Sequence, residues 1–190
     1  MKKSIIPFVM GVIAVAMFSA CEKDDEEDPV IPNEEELITT VRFHMVPASG
    51  GDTITWTFTD LDGDGGDAPV IVNGAALVAG VTYGTHLEFL NEVEDPIEDI
   101  TEEVEDEAEE HQVFYMVDGA DMTVSYTDSD ANGFPLGLTT EVMTQSASSG
   151  SLEIILRHEP EKDEAGVSDG DITNAGGETD IEVSFDITIQ

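Results

Sequence analysis

Positive charge is the scarcest commodity in this chain. Six Lys and Arg stand against 43 Asp and Glu in 190 residues, a formal net charge of −37. A surface of that sign repels phosphate backbones, so nucleic-acid binding is excluded as an expectation. Cysteine is nearly absent as well: Cys21 stands alone, which rules out an intrachain disulfide. Catalytic signatures are missing too. No serine sits in G-x-S-x-G, no P-loop is present, and no G-x-G-x-x-G follows a strand. No carboxylate occupies an apolar setting that would mark it as a general acid. The expectation is a protein that is not an enzyme, carries no organic cofactor and attracts cations.

What is present begins with an address. Lys2 and Lys3 precede an apolar run from Ile5 to Phe18, followed by Ser19, Ala20 and Cys21. The run is too short for a membrane span, and an acidic stretch follows it, so residues 1–20 read as a secretory signal. Phe18-Ser19-Ala20-Cys21 resembles a bacterial lipobox. That resemblance implies cleavage before Cys21 and its acylation, hence attachment to a membrane through a lipid anchor. Lys23-Asp24-Asp25 resembles the export signal of Bacteroidota surface lipoproteins, which implies an outer-membrane, cell-surface location. Residues 21–36 hold Pro29, Pro32 and a run of acids, which reads as a tether without regular structure.

Residues 37–190 are expected to form one domain, an antiparallel β-sandwich of seven to nine strands with one short acidic helix. Apolar residues alternate at Val41/Phe43/Met45, Ile54/Trp56/Phe58, Leu87/Phe89, Met122/Val124/Tyr126, Leu152/Ile154/Leu156 and Ile181/Val183/Phe185/Ile187/Ile189. Val70–Val72, Val113–Val117 and Thr139–Thr144 add three more runs. Ile155, opposite in phase to its neighbours, suggests a strand buried on both faces. Gly-, Asp- and Asn-rich clusters punctuate the runs. The helix is expected over 96–110, with Asp95 as N-cap, Pro96 at its first position, and Ile97, Ile100, Val104 and Ala108 as an apolar stripe.

Two patterns offer cation ligands. From Glu92 to Glu110, 12 of 19 residues are acidic and none is basic. Like-charge pairs four residues apart cost about 0.2–0.5 kcal/mol each in an isolated helix. Such a segment either leans on its apolar stripe or binds cations. Glu103, Glu107, Glu110 and His111 are the candidate ligands for Zn²⁺ or another divalent transition metal; a solvated face is the alternative. Asp60, Asp62 and Asp64 (D-x-D-x-D-G) and Asp128, Asp130 and Asn132 (D-x-D-x-N-G) spell the first half of a calcium loop. The bidentate twelfth-position Glu is missing, so neither is an EF-hand. The alternative is a pair of Asx-rich turns. Whether His44, His86 and His158 converge is left open by the sequence.

The stretches Phe58–Gly66, Glu98–Gln112, Thr127–Gly133, Leu156–Pro160 and Gly166–Asp180 carry a resemblance to a family of small, uncharacterised Bacteroidota outer-membrane or surface lipoproteins. Members have carried automatic labels such as type 1 periplasmic binding fold protein, which these residues do not fit. The resemblance implies a location and no mechanism. The first functional expectation is a surface lipoprotein binding cations or a cationic small ligand, accessory to a TonB-dependent outer-membrane receptor. The other is a structural or adhesive surface protein stabilised by Ca²⁺.

Overall fold

The computed structural model describes residues 37–63 and 66–190. The signal segment, Cys21, the tether and Asp64 lie outside the described residues. Each alternating run becomes a strand: β1 (Thr40–Pro47), β2 (Ile54–Thr59), β3 (Val70–Val72), β4 (Thr82–Asn91), β6 (His111–Asp118), β7 (Met122–Tyr126), β8 (Thr139–Thr144), β9 (Ser148–His158) and β10 (Glu178–Ile189). A short strand, β5 (Glu98–Asp99), and one helix, α1 (Ile100–Asp106), complete the set, with two single-turn 3₁₀ segments at Val167–Asp169 and Ile172–Asn174.

The strands form two antiparallel sheets. The larger runs β3-β2-β1-β4-β8-β7, with β5 paired to β4; the smaller runs β10-β9-β6. Alternation explains how they meet. Val41, Phe43 and Met45 of β1 and Tyr83, Leu87 and Phe89 of β4 are buried, and so are Leu152, Ile154 and Leu156 of β9 and Val183, Phe185 and Ile187 of β10. Aromatic pairs bridge the sheets: Phe43 meets Tyr115 at 5.9 Å between ring centroids, and Trp56 meets Phe185 at 5.7 Å. The protein is therefore a β-sandwich with one core between its sheets. Burying each such large side chain contributes about 1.5–3 kcal/mol. The smaller sheet is covered on its second face too. Phe114 and Ile155 pack there against Val167, Ala175 and Ile172 of the β9–β10 connection.

The helix is shorter than its sequence suggests. Glu98 and Asp99 give their backbone to the ladder with Asn91 and Leu90, which leaves nothing helical before Ile100. Asp99, not Asp95, is the N-cap, and its carboxylate accepts the Thr101 N–H at 3.1 Å. Only Ile100 and Val104 of the expected stripe are buried; Ile97 is 57% exposed. Thr101 ties the helix down by donating its hydroxyl to Phe89 O and accepting from Phe89 N–H. Past Asp106 the chain turns rather than coils, as like charges and a C-terminus without a basic residue would favour.

Candidate metal centre

His111 opens β6 and His158 closes β9, and the two lie directly opposite each other in the ladder. Each continues a core-facing row: His111 is in phase with Val113 and Tyr115, His158 with Leu156 and Ile154. Their rings stack, with centroids 4.8 Å apart and planes 13° from parallel. A third residue joins them through an irregularity in β10. The register slips between Thr179 and Ile181, so Asp180 is an extra residue in its strand. Regular alternation would send Asp180 to the polar face with Glu182 and Ser184. The bulge re-aims it inward instead. Its side chain is as buried as that of His111, and its Oδ2 stands 3.8 Å from His111 Nε2.

The arrangement presents one ligand atom from each of His111, His158 and Asp180, all within 4.8 Å of one another. Nδ1 of His111 lies 3.2 Å from the Glu107 carbonyl, to which it donates, and this leaves Nε2 on the side of Asp180. Burial pushes His111 below the ordinary imidazole value of 6.5, the Glu107 hydrogen bond acts the other way, and His158 lowers it further. The neutral imidazole is the ligating form. Glu110 and Glu159, both exposed, group with His158 in an adjoining set, with Glu110 Oε2 3.9 Å from His158 Nε2. The backbone is tightly drawn here. Glu159 adopts φ 49°, in the left-handed region that glycine usually occupies, and Glu159 N–H donates to Glu110 O at 2.6 Å.

Of the four transition-metal candidates read from the sequence, His111 and Glu110 therefore reach His158, in adjoining groups. Glu103 is exposed on α1, and Glu107 contributes its backbone carbonyl. Sequence reading missed His158 as a partner of His111, and missed Asp180. The first had a signal, since both histidines fall on the apolar phase of their strands; the second depends on the bulge.

The aspartate loops have partners of their own. Asp60 accepts the Gly63 N–H at 3.0 Å, and Asp62 the Asp67 N–H at 2.8 Å. Asp128 accepts from Gly137 N–H and Thr139 N–H, both at 2.7 Å. Asp130 accepts the Asn132 and Phe134 amides on Oδ1, and Lys162 on Oδ2 at 3.0 Å. Lys162 is buried, and its ammonium also donates to Ala108 O at 2.6 Å and Pro135 O at 3.2 Å. Three donors meet three acceptors. The second loop thus encloses a cation supplied by the protein itself.

The remaining histidines settle the convergence question. His44 and His86 stack across β1 and β4 at 4.5 Å, on the outer face of the larger sheet. His158 belongs to the other pair. His86 is held below 6.5 first by burial and then by His44, with Glu88 acting the other way.

Compared with protein-family models, with curated proteins and with solved structures, the chain has no significant match. The buried imidazole pair with its bulge-borne carboxylate remains the feature with the clearest chemistry. Two nitrogens and one oxygen suit a divalent transition metal.

Proposed function

We propose that this protein binds a divalent transition metal, with Zn²⁺ as the reference ion, through His111, His158 and Asp180. The observation that carries the reading is the approach of two stacked, buried imidazoles and a buried carboxylate to within 4.8 Å of one another. Tetrahedral Zn²⁺ with bonds of about 2.0–2.1 Å places its donors about 3.3–3.4 Å apart. The 3.8 Å from His111 Nε2 to Asp180 Oδ2 needs only a small contraction to reach that. Glu110 and Glu159 would guide the ion in from solvent, and the surplus of acids would raise its local concentration.

The N-terminal pattern around Cys21 supports a setting for this activity: a lipid-anchored protein on the outer surface of an outer membrane, collecting metal for a TonB-dependent receptor. The direct test is Zn²⁺ titration of the full chain beside His158→Gln and Glu103→Gln. The first variant should weaken the tightest binding by at least the roughly 10–100-fold that loss of a mere supporting contact costs a metal site. The second should leave it unchanged. Equal affinity in wild type and His158→Gln would sink the proposal.

A further inference from the structure

The two sheets each carry one cross-strand imidazole pair, and the second lies on the outer face of its sheet, with His86 exposed and His44 half-buried. We infer that His44, His86 and Glu88 form a second divalent-metal site, open and exchangeable, supplied by the acidic cleft beside it. The register builds it. His44 lies directly opposite His86, and Glu88 follows His86 by two residues on the same strand, so strand alternation puts all three side chains on the outer face. One ligand atom from each lies within 4.8 Å of the others. The rings stack at 4.5 Å and 16°, and His44 Nε2 lies 3.3 Å from Glu88 Oε2.

The surrounding groups orient these ligands. Thr55 of the neighbouring β2 holds His44 Nδ1 at 2.9 Å, which fixes the ring and leaves Nε2 on the Glu88 side. Arg42 bridges Glu92 at 2.6 Å and Glu88 at 3.5 Å, so it competes with a metal for the Glu88 carboxylate. That competition, together with the exposure of His86, makes this the weaker and faster site of the two. His86 also lines a cleft of about 630 Å³ that carries Glu105, Asp106, Glu109 and Asp128. A cleft with these acids that reaches one imidazole of the pair concentrates divalent cations where a nitrogen ligand can take them. The buried centre would then retain metal, and the exposed centre would take it up and release it.

The test is equilibrium dialysis of the full chain against Zn²⁺ alone, at matched ionic strength, with bound metal measured over a wide range of free concentration. Cu²⁺ electron paramagnetic resonance reports nitrogen ligation alongside. Wild type should show a tight and a weaker class of site. His86→Gln and, separately, Glu88→Gln should weaken the second class at least about tenfold and leave the tight class unchanged. Both substitutions lie on the outer face of the sheet, and circular dichroism checks the fold. Retention of the weaker class, with unchanged nitrogen ligation, in folded His86→Gln overturns the inference. The buried centre is tested apart from it. Loss of the tight class in His158→Gln speaks to His111, His158 and Asp180 alone, and retention there would remove that reading while leaving the exposed site to stand or fall on His86.

Discussion

Replacing Lys162 by methionine keeps most of the side chain's apolar volume and removes its ammonium. Asp130 Oδ2, Ala108 O and Pro135 O each lose a hydrogen bond, at 3.0, 2.6 and 3.2 Å respectively. The Asp130 side chain is only 1% exposed, so water cannot easily replace the lost cation. Breaking a buried pair by deleting one partner costs about 3–5 kcal/mol. The two amides that still reach Asp130 Oδ1 argue for the lower half of that range. For a chain of this size each kcal/mol moves the melting midpoint by about 2–4 °C, so a fall of roughly 6–16 °C is expected. Urea unfolding by linear extrapolation is the assay. The double variant Lys162→Met/Asp130→Asn should recover part of the loss, because a neutral amide costs less to bury than an unpaired carboxylate. The pH dependence has a sign of its own. Burial pushes Asp130 up, but the Lys162 hydrogen bond and the Phe134 and Asn132 amides together bring it below the ordinary 3.8. A depressed carboxylate contributes stability that is fully present above 3.8 and lost as pH falls through its folded value. The gap between wild type and Lys162→Met should therefore narrow in acid. A variant within about 1 kcal/mol of wild type at neutral pH would refute the reasoning, since removal of even a single hydrogen bond to a charged group is worth about 1.5–3 kcal/mol.

Other perturbations read other parts of the fold. Burial raises Tyr126 to about 12, with the Gln112 hydrogen bond opposing and Asp128 reinforcing the shift. A raised phenol contributes stability that is complete below its unfolded value of 10.0 and lost as pH rises through about 12. Ultraviolet titration of wild type against Tyr126→Phe should assign a late-ionising phenol to this position, and ionisation near 10 would contradict it. Gly177 has φ 67°, and a Cβ there would lie 2.2 Å from His158 O. Gly177→Ala should destabilise by about 1–3 kcal/mol through overpacking and should also weaken Zn²⁺ binding by displacing His158. An unchanged urea midpoint would count against the close approach. Thr101→Val removes both hydrogen bonds between α1 and Phe89 of β4. A loss of about 1–2 kcal/mol is expected from the unpaired backbone groups, read as faster amide exchange at Phe89.

Strand positions were legible because alternation is a local property, and burial in a sandwich follows it. β10 shows this best: Val183, Phe185, Ile187 and Ile189 are buried, while their neighbours Ser184, Asp186 and Thr188 are exposed. Ile155 was a correct sign of a doubly covered strand, because the β9–β10 connection folds over it. The helix start was misplaced for a non-local reason. Asp95-Pro96-Ile97-Glu98 has good capping chemistry, but pairing of Glu98 and Asp99 with β4 takes the backbone first. The metal centre was half legible. His111 was singled out as a terminus of the acidic helix, yet its phase belongs to β6, and its partners come from strands 47 and 69 residues away. Ladder register brings His158 to it, and a bulge brings Asp180. Neither is encoded in spacing. The enclosure of Lys162 by the second aspartate loop is likewise tertiary: the loop has the composition of a cation site, and a lysine 32 residues on from Asp130 fills it.

The central claim is that His111, His158 and Asp180 hold a divalent metal in the folded protein. Its most direct test is a thermal melt of the full chain in the His86→Gln background, which weakens the outer-face cluster. The protein is stripped with chelator and then given Zn²⁺ at matched ionic strength, so that screening of the net charge is held constant. A ligand at a hundred times its dissociation constant stabilises by about 2.7 kcal/mol. At about 2–4 °C per kcal/mol that is a rise of roughly 5–11 °C. The account predicts such a rise, reversed by chelator, absent with Ca²⁺ at the same concentration, and lost when His158→Gln is added. A melt unmoved by Zn²⁺, or moved equally with and without His158, would contradict it.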